Sequence, residues 1–403
     1  MHIGRSLFAP RPLLVRSRDR MAAAVVDGNR ILRETIKRSV LRTLFAVVPG
    51  CWNSPQGAKR YLLTEDVLRL QGFQQQKLAT KYRIYGKKDT YFRMIEEKLS
   101  ENRLILRDEL KILLHLCETK DDIEIAKRVI YRYHAENKNV AFAEFKFGPL
   151  FMRLCYELDL EESAFELIKD QALRGFFSDT TSFNILMDLL FAKGHYERAL
   201  EVLLEMKRQG VKFNQETYLL AFALCYKLNS SESCKMCTTL LEDGQLRGDH
   251  LPRKGYYFAV AFALKQNDIA KANSFYSQIM DTETRICSNL KILLQAASGN
   301  LEDVVQTLET ALESNTSDFV KKTEFCMQVL TTAREKLEEN LSLCARFEAA
   351  FTKLQALGQT TSLTLDDLLC QTPPTKRRHL QLLKHNQVSR RTLRPLRNAL
   401  LTE

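Results

Sequence analysis

Between Thr180 and Tyr218 the apolar residues follow two helical periods separated by a break. Phe183, Leu186, Met187, Leu190 and Phe191 keep the i, i+3, i+4 spacing of one helix face. Lys193-Gly194 ends that run, because glycine accepts the left-handed backbone that closes a helix. A second helix is predicted from about Tyr196 to Gln209-Gly210, with Ala199, Leu200, Leu203, Leu204 and Met206 on its buried side. Glu216-Thr217-Tyr218 then restates Thr181-Ser182-Phe183 at a distance of 35 residues.

A helix pair recurring at that period buries its apolar faces only by stacking on its neighbours. The E-x-A triplet that opens the second helix serves as a ruler along the chain. It falls at Glu124-Ile125-Ala126, Glu162-Ser163-Ala164, Glu197-Arg198-Ala199, Glu232-Ser233-Cys234, Ala270-Lys271-Ala272 and Glu302-Asp303-Val304, with spacings of 38, 35, 35, 38 and 32 residues. The pattern predicts an all-α fold, a right-handed α-solenoid of helix-turn-helix repeats with helical caps and disordered basic ends. The divisions are an N-terminal helical region at 59–105, a repeat array at 106–316, and a helical cap at 317–371 that includes a short capped helix at Thr364 to Leu369. Pro373-Pro374 then introduces a basic tail, so that 372–403 forms the last segment.

Charge sharpens this division. The chain of 403 residues carries a net +11. Residues 1–60 hold 12 Lys and Arg against Asp19, Asp27 and Glu34, a balance of +9. Residues 373–403 hold eight against Glu403, a balance of +7, which leaves −5 for the body between. A nucleic-acid reading therefore cannot rest on the overall charge. Residues 1–58 mix Arg and Lys with Ile31, Leu32, Ile36, Val40, Leu41 and Leu44, the basic amphipathic signature of a mitochondrial presequence, with Met21 as a candidate internal start. That placement implies the mitochondrial matrix. The ten scattered cysteines read as reduced thiols rather than a disulfide framework, and no apolar run reaches membrane-spanning length.

Thr181-Ser182-Phe183-Asn184-Ile185-Leu186-Met187, the Ala192-Lys193-Gly194 turn, Glu197-Arg198-Ala199 and the close from Met206 to Gly210 resemble the pentatricopeptide repeat. The tetratricopeptide signature W-x-x-L-G-x-x-Y is absent. The resemblance implies binding of single-stranded mitochondrial RNA, in maturation or stability of transcripts that support the respiratory chain. In that family each repeat offers a base two side chains, the fifth residue and the last before the next repeat. With Thr180 first, these are Asn184 and Asn214; Asn184 also reads as a helix-start residue that satisfies backbone amides. Asn289 takes the fifth place in another unit with Phe319 as partner, and Pro149 and Leu219 take it elsewhere, so no continuous code is present.

Two further stretches suit RNA. Lys81, Arg83, Lys87 and Lys88 interleave with Tyr82, Tyr85, Tyr91 and Phe92, cations for phosphate and rings for bases, although a solvated helix with buried rings has the same composition. The tail carries Arg377, Arg378, Arg390 and Arg391. A competing class is a helical-repeat scaffold that docks on a mitochondrial ribosome or an RNA-processing complex; it calls for a hydrophobic rather than a basic binding face.

Enzymatic chemistry finds little support. His195-Tyr196-Glu197 and Cys234-Lys235-Met236-Cys237 imitate the H-x-E and C-x-x-C of zinc deaminases, but Ser233 replaces the expected Pro and both fragments lie inside the repeats. Phosphate-loop, nucleophile-elbow and zinc-protease motifs are missing, and Asp121-Asp122 and Asp366-Asp367 read as helix starts. The expectation is a binding protein with no catalytic residue, metal or cofactor.

Overall fold

The computed structural model describes residues 61–137, 145–313, 322–338 and 340–372. After a short α1 (Glu65–Leu68) the chain forms helical hairpins in succession. These are α2 (Leu70–Arg83) with α3 (Lys88–Ser100), α4 (Arg107–Leu116) with α5 (Lys120–Asn137), and α6 (Gly148–Leu158) with α7 (Glu161–Lys169). Next come α8 (Thr180–Lys193) with α9 (Tyr196–Arg208), α10 (Gln215–Leu228) with α11 (Ser231–Leu246), and α12 (Arg253–Lys265) with α13 (Ile269–Ser277). The last two are α14 (Arg285–Ala297) with α15 (Leu301–Glu313), and α16 (Met327–Leu337) with α17 (Leu341–Ala356), followed by α18 (Leu365–Cys370). The presequence expected at 1–58 and the tail from Pro373 onward lie outside the described residues.

The E-x-A ruler holds. Its first residue is the second of α7, α9, α11, α13 and α15 and the fifth of α5. The physical reason lies in its third residue. Ala126, Ala164, Ala199, Ala272 and Val304 are fully buried, so a small side chain lets the second helix come close to its neighbours. Cys234, the sixth, is half-buried. First helices pack on first helices, α6 on α8, α8 on α10, α10 on α12, α12 on α14 and α14 on α16. Second helices form the other layer, with α7 on α9 and α15 on α17. Ion pairs cross that outer layer, among them Lys169–Glu201 at 2.6 Å, Arg198–Glu162, and Arg346 with both Glu302 and Glu309. Exposed pairs of this kind contribute about 0–1 kcal/mol each, so apolar stacking holds the layers together. The same hairpin architecture extends beyond 106–316, because α2/α3 falls within 59–105 and α16/α17 within 317–371.

Three details depart from the sequence pattern. Leu204 on α9 is exposed and Val202 is in the core instead, while Ala199, Leu203 and Met206 keep their expected buried places. Phe325–Cys326 and Thr360–Thr361 form a two-residue parallel β1–β2 contact within the C-terminal helical region. Finally, the central stretches of two first helices are buried around their whole circumference rather than along one stripe. Every residue from Ser182 to Phe191 in α8 and from Tyr257 to Ala263 in α12 is buried.

Something must cover the remaining side of these helices, and the first and last described segments of the chain do so. Leu62 and Leu63 are buried, and both donate backbone N–H groups to Asp188 Oδ1 in the middle of α8, at 2.8 and 3.2 Å. From the other end, α18 buries Leu365, Leu368 and Leu369 against α12 and α14. Asp366 accepts from Lys227 Nζ at the end of α10, and Gln371 O from Lys254 Nζ on α12. The two segments meet where Thr372 Oγ1 donates to Tyr61 O at 2.7 Å.

Candidate nucleic-acid interface

The structure brings Asn184 and Asn214 together. Asn184 Nδ2 donates to Asn214 Oδ1 at 2.9 Å, and Thr217 Oγ1 donates to Asn184 Oδ1 at 2.9 Å. Asn214 also caps α10, its Oδ1 accepting from Thr217 N. Asn184 is 1% exposed, so its carboxamide is bonded within the protein. It does not serve as a helix-start residue: Asp179 caps α8, accepting from Ser182 N.

The same joint recurs. Asn289, the fifth residue of α14, donates to Glu324 O and accepts from Cys326 N, the residue that opens α16. Tyr257, the fifth residue of α12, shares a 3.1 Å hydrogen bond with Thr284, the N-cap of α14. In α10 the fifth residue is Leu219 and the next cap is Pro252, an apolar pair in the same place. Phe319, the expected partner of Asn289, lies outside the described residues. Pro149 stands in the first turn of α6, which starts three residues later than the period requires, so it is not the fifth residue of its helix.

The cationic stretch divides into two parts. Lys81 pairs with Glu118 at 3.2 Å, and Lys88 with Asp122 at 2.7 Å and Glu118 at 3.5 Å. Burial works against the charge on Asp122, yet the Glu118 and Thr119 N–H groups and the Lys88 ammonium hold its carboxyl below the usual range. Asp122 therefore has the helix-start role expected of it, and Lys88 serves the fold. Arg83 and Lys87 are exposed at the turn between α2 and α3. Tyr82 and Tyr85 beside them are 67% and 89% exposed, and Tyr85 holds a left-handed φ of 53° that turns the chain there. Below this ridge lies a cleft of about 340 Å³ lined by Lys77, Lys81, Lys88, His115, Glu118 and Glu157.

A second basic cleft was not singled out in the sequence. Lys146, Arg174 and Lys212, all exposed, line a space of about 610 Å³ with Gly175, Gly210 and Thr180. Each cation comes from a different loop preceding a first helix. Only the repeat register would have exposed them, as one cation in each of three successive loops. Arg377, Arg378, Arg390 and Arg391 lie outside the described residues.

The deaminase-like fragments have structural places. His195 opens α9, whereas Cys237 is buried in α11 and its thiol is pushed well above the usual range by burial. Among the described residues no group of three His, Cys, Asp or Glu is arranged to hold a metal ion, and no helix is long and apolar enough to cross a membrane.

Hairpins stacked on a period near 35 residues, joined through their fifth and capping positions, define an α-helical repeat protein of the pentatricopeptide type. Comparison with known proteins agrees. The family model for mitochondrial 28S ribosomal protein S27 matches residues 38–379. The chain is 56% identical over 377 residues to "Pentatricopeptide repeat-containing protein 2, mitochondrial" of Xenopus laevis, covering 93% of this chain and 98% of that one. It is 53% identical over 393 residues to the protein of the same name from Homo sapiens, covering 96% and 100%. For Danio rerio the identity is 49% over 374 residues, covering 93% and 97%. The chain belongs to the family of pentatricopeptide repeat-containing protein 2, and it is a mitochondrial protein.

Proposed function

We propose that this protein binds single-stranded RNA in the mitochondrial matrix and acts in the maturation or stability of transcripts, without catalysis of its own. The observation that carries this reading is the exposed ridge on which Tyr82 and Tyr85 alternate with Arg83 and Lys87. Exposed rings stack on bases at about 1–3 kcal/mol each and the cations meet phosphate, neither of which needs a sequence code. The loop cations Lys146, Arg174 and Lys212 supply further phosphate contacts, as do Arg377, Arg378, Arg390 and Arg391 in the tail. Sequence-blind contact of this kind suits a protein whose Asn184 is engaged internally.

The test is crosslinking and sequencing of RNA bound in mitochondria, with Tyr82→Ala/Tyr85→Ala and Arg83→Glu/Lys87→Glu variants beside the parent chain. The reading expects enrichment of discrete transcripts that falls in both variants. Equal recovery from parent, variants and an unrelated matrix protein would overturn it.

A second reading is favoured by the family match to a ribosomal protein and by the buried leucines with which α18 seats on the first-helix face. In it the protein is a scaffold docking on the mitochondrial ribosome or on an RNA-processing complex. Cosedimentation with the small ribosomal subunit that survives nuclease treatment would select this reading.

A further inference from the structure

The segments that close the first-helix face occupy groups suited to another ligand. Lys227 Nζ is held by both carboxylate oxygens of Asp366, at 2.7 and 2.6 Å. Lys254 Nζ donates to the carbonyl of Gln371 at 2.8 Å. Lys265 lies 3.8 Å from the ring centre of Tyr226, on the wall of a 440 Å³ cavity that Asp366 and Leu365 also line. Two cations and a ring from α10 and α12 thus gather at the acidic first turn of α18, and a third cation, Lys254 near the start of α12, meets the chain just past the end of that helix. Along α8, Asp188 follows Asn184 by four residues, on the same helix face, and its carboxylate holds Leu62 and Leu63.

We infer that Lys227, Lys254 and Lys265, with Tyr226, form a latent site for the phosphate backbone of single-stranded RNA, and that residues 365–372 compete with RNA for it. Asp366 stands where one phosphate would stand, since both its oxygens accept from the Lys227 ammonium beside Lys265, and Lys254 would meet a further phosphate along the strand. A carboxylate on a tethered segment has a high effective concentration, so it holds the cations until a longer polyanion displaces it. Release of α18 also breaks the Thr372–Tyr61 hydrogen bond. The second end, held on Asp188, is thereby loosened and the face opens toward Asn184. The contacts of the exposed ridge and loops are independent of this event, so the protein has a constitutive RNA surface and a guarded one. The inference rests on the RNA-binding reading.

The test uses the full chain, a fluorescein-labelled 20-residue oligouridylate and fluorescence anisotropy, with hydrogen exchange as the conformational readout. Leu368→Ala/Leu369→Ala unseats α18 without altering charge. Faster exchange is expected at 365–372 and 61–63, with α8 and α10 still protected. Affinity is expected to rise about tenfold as the competent population grows. Adding Lys227→Ala/Lys254→Ala to that variant should cancel the gain, while in the closed parent the same pair changes affinity little. If the double leucine variant loses protection throughout, Leu365→Ala/Thr372→Val, also charge-neutral, carries the same comparison. Faster exchange at 365–372 with unchanged affinity, while Arg83→Glu/Lys87→Glu still weakens binding, overturns the guarded site and leaves the RNA reading intact. Absence of oligouridylate binding by every form, opened ones included, overturns both.

Discussion

The side chains of Asn184 and Asn214 are bonded to each other across the junction of two hairpins, and Thr217 closes the triangle. These are the positions at which the repeat family offers a base its two reading groups. In this chain the pair joins one repeat to the cap of the next, and Asn289 with Cys326 and Tyr257 with Thr284 do the same further along.

Asn184→Ala should therefore act on stability. It leaves the buried Thr217 hydroxyl and the Asn214 carboxamide short of a partner, a loss of about 1–3 kcal/mol. Denaturant unfolding should show a lower midpoint with an unchanged slope. Full retention of stability, together with a selective change in the RNA bases recovered by crosslinking, would return Asn184 to base reading.

Asp188 fastens the N-terminal segment to α8. Its carboxylate accepts from Leu62 N, Leu63 N and Tyr156 Oη. Asp188→Ala should cost about 3 kcal/mol, because three buried donors lose their acceptor. Limited proteolysis should then cut within 61–68 ahead of the helical body. Tyr156→Phe removes one donor only and should cost about 1 kcal/mol.

The same residue makes stability depend on pH. Burial outweighs the hydrogen bonds from Leu62, Tyr156 and Leu63 and lifts the Asp188 carboxyl to about 6. Between the unfolded value near 3.8 and about 6 the folded state binds the extra proton, so this contribution is complete below pH 4 and lost as pH rises through 6. Lifting the carboxyl from 3.8 to about 6 corresponds to about 3 kcal/mol. Urea midpoints of the parent minus those of Asp188→Asn should rise from pH 7 to pH 5. A difference that is flat with pH would show that the carboxyl titrates in its ordinary range.

Two glycines should respond in opposite directions. A Cβ on Gly148 would lie 2.4 Å from Ser182 Oγ and 3.1 Å from Phe177 Cδ1, where α6 meets the start of α8. Gly148→Ala should cost about 1–3 kcal/mol through overpacking. Gly72, inside α2, has nothing within 4 Å of the added carbon, so Gly72→Ala should stabilise by about 0.5–1 kcal/mol through helix propensity. Thermal melts of the two variants should move to either side of the parent.

What could be read from the sequence was whatever repeats locally. The E-x-A ruler found the second helices because close packing demands a small residue at Ala126, Ala164, Ala199 and Ala272, and that demand recurs within about 40 residues. Thr364 announced α18 because its capping box with Asp367 is complete within four residues. The role of Asn184 was hidden, since an amide at the fifth position has the same sequence signature whether it faces a base or the next cap. Leu62 and Asp366 were hidden more deeply. Their partners lie 126 and 139 residues away, and neither segment carries a periodicity that names what it covers. Lys81 and Lys88 looked equivalent to Arg83 and Lys87 until Glu118 and Asp122, more than 30 residues on, were seen to pair with them.

The hydrogen bond between Thr372 and Tyr61 also constrains the order in which the molecule is built. Each hairpin closes through contacts near in sequence, which form early because little loop entropy is lost. The Tyr61–Thr372 contact spans 311 residues and has nothing to form on until α8, α12 and α14 are stacked. A chain emerging from its N-terminus can seat Leu62 and Leu63 on Asp188 once α8 is in place, but the Tyr61 carbonyl waits for its donor through the whole of that interval. Completion of the fold is thus registered at its very first described residues, by the arrival of the last.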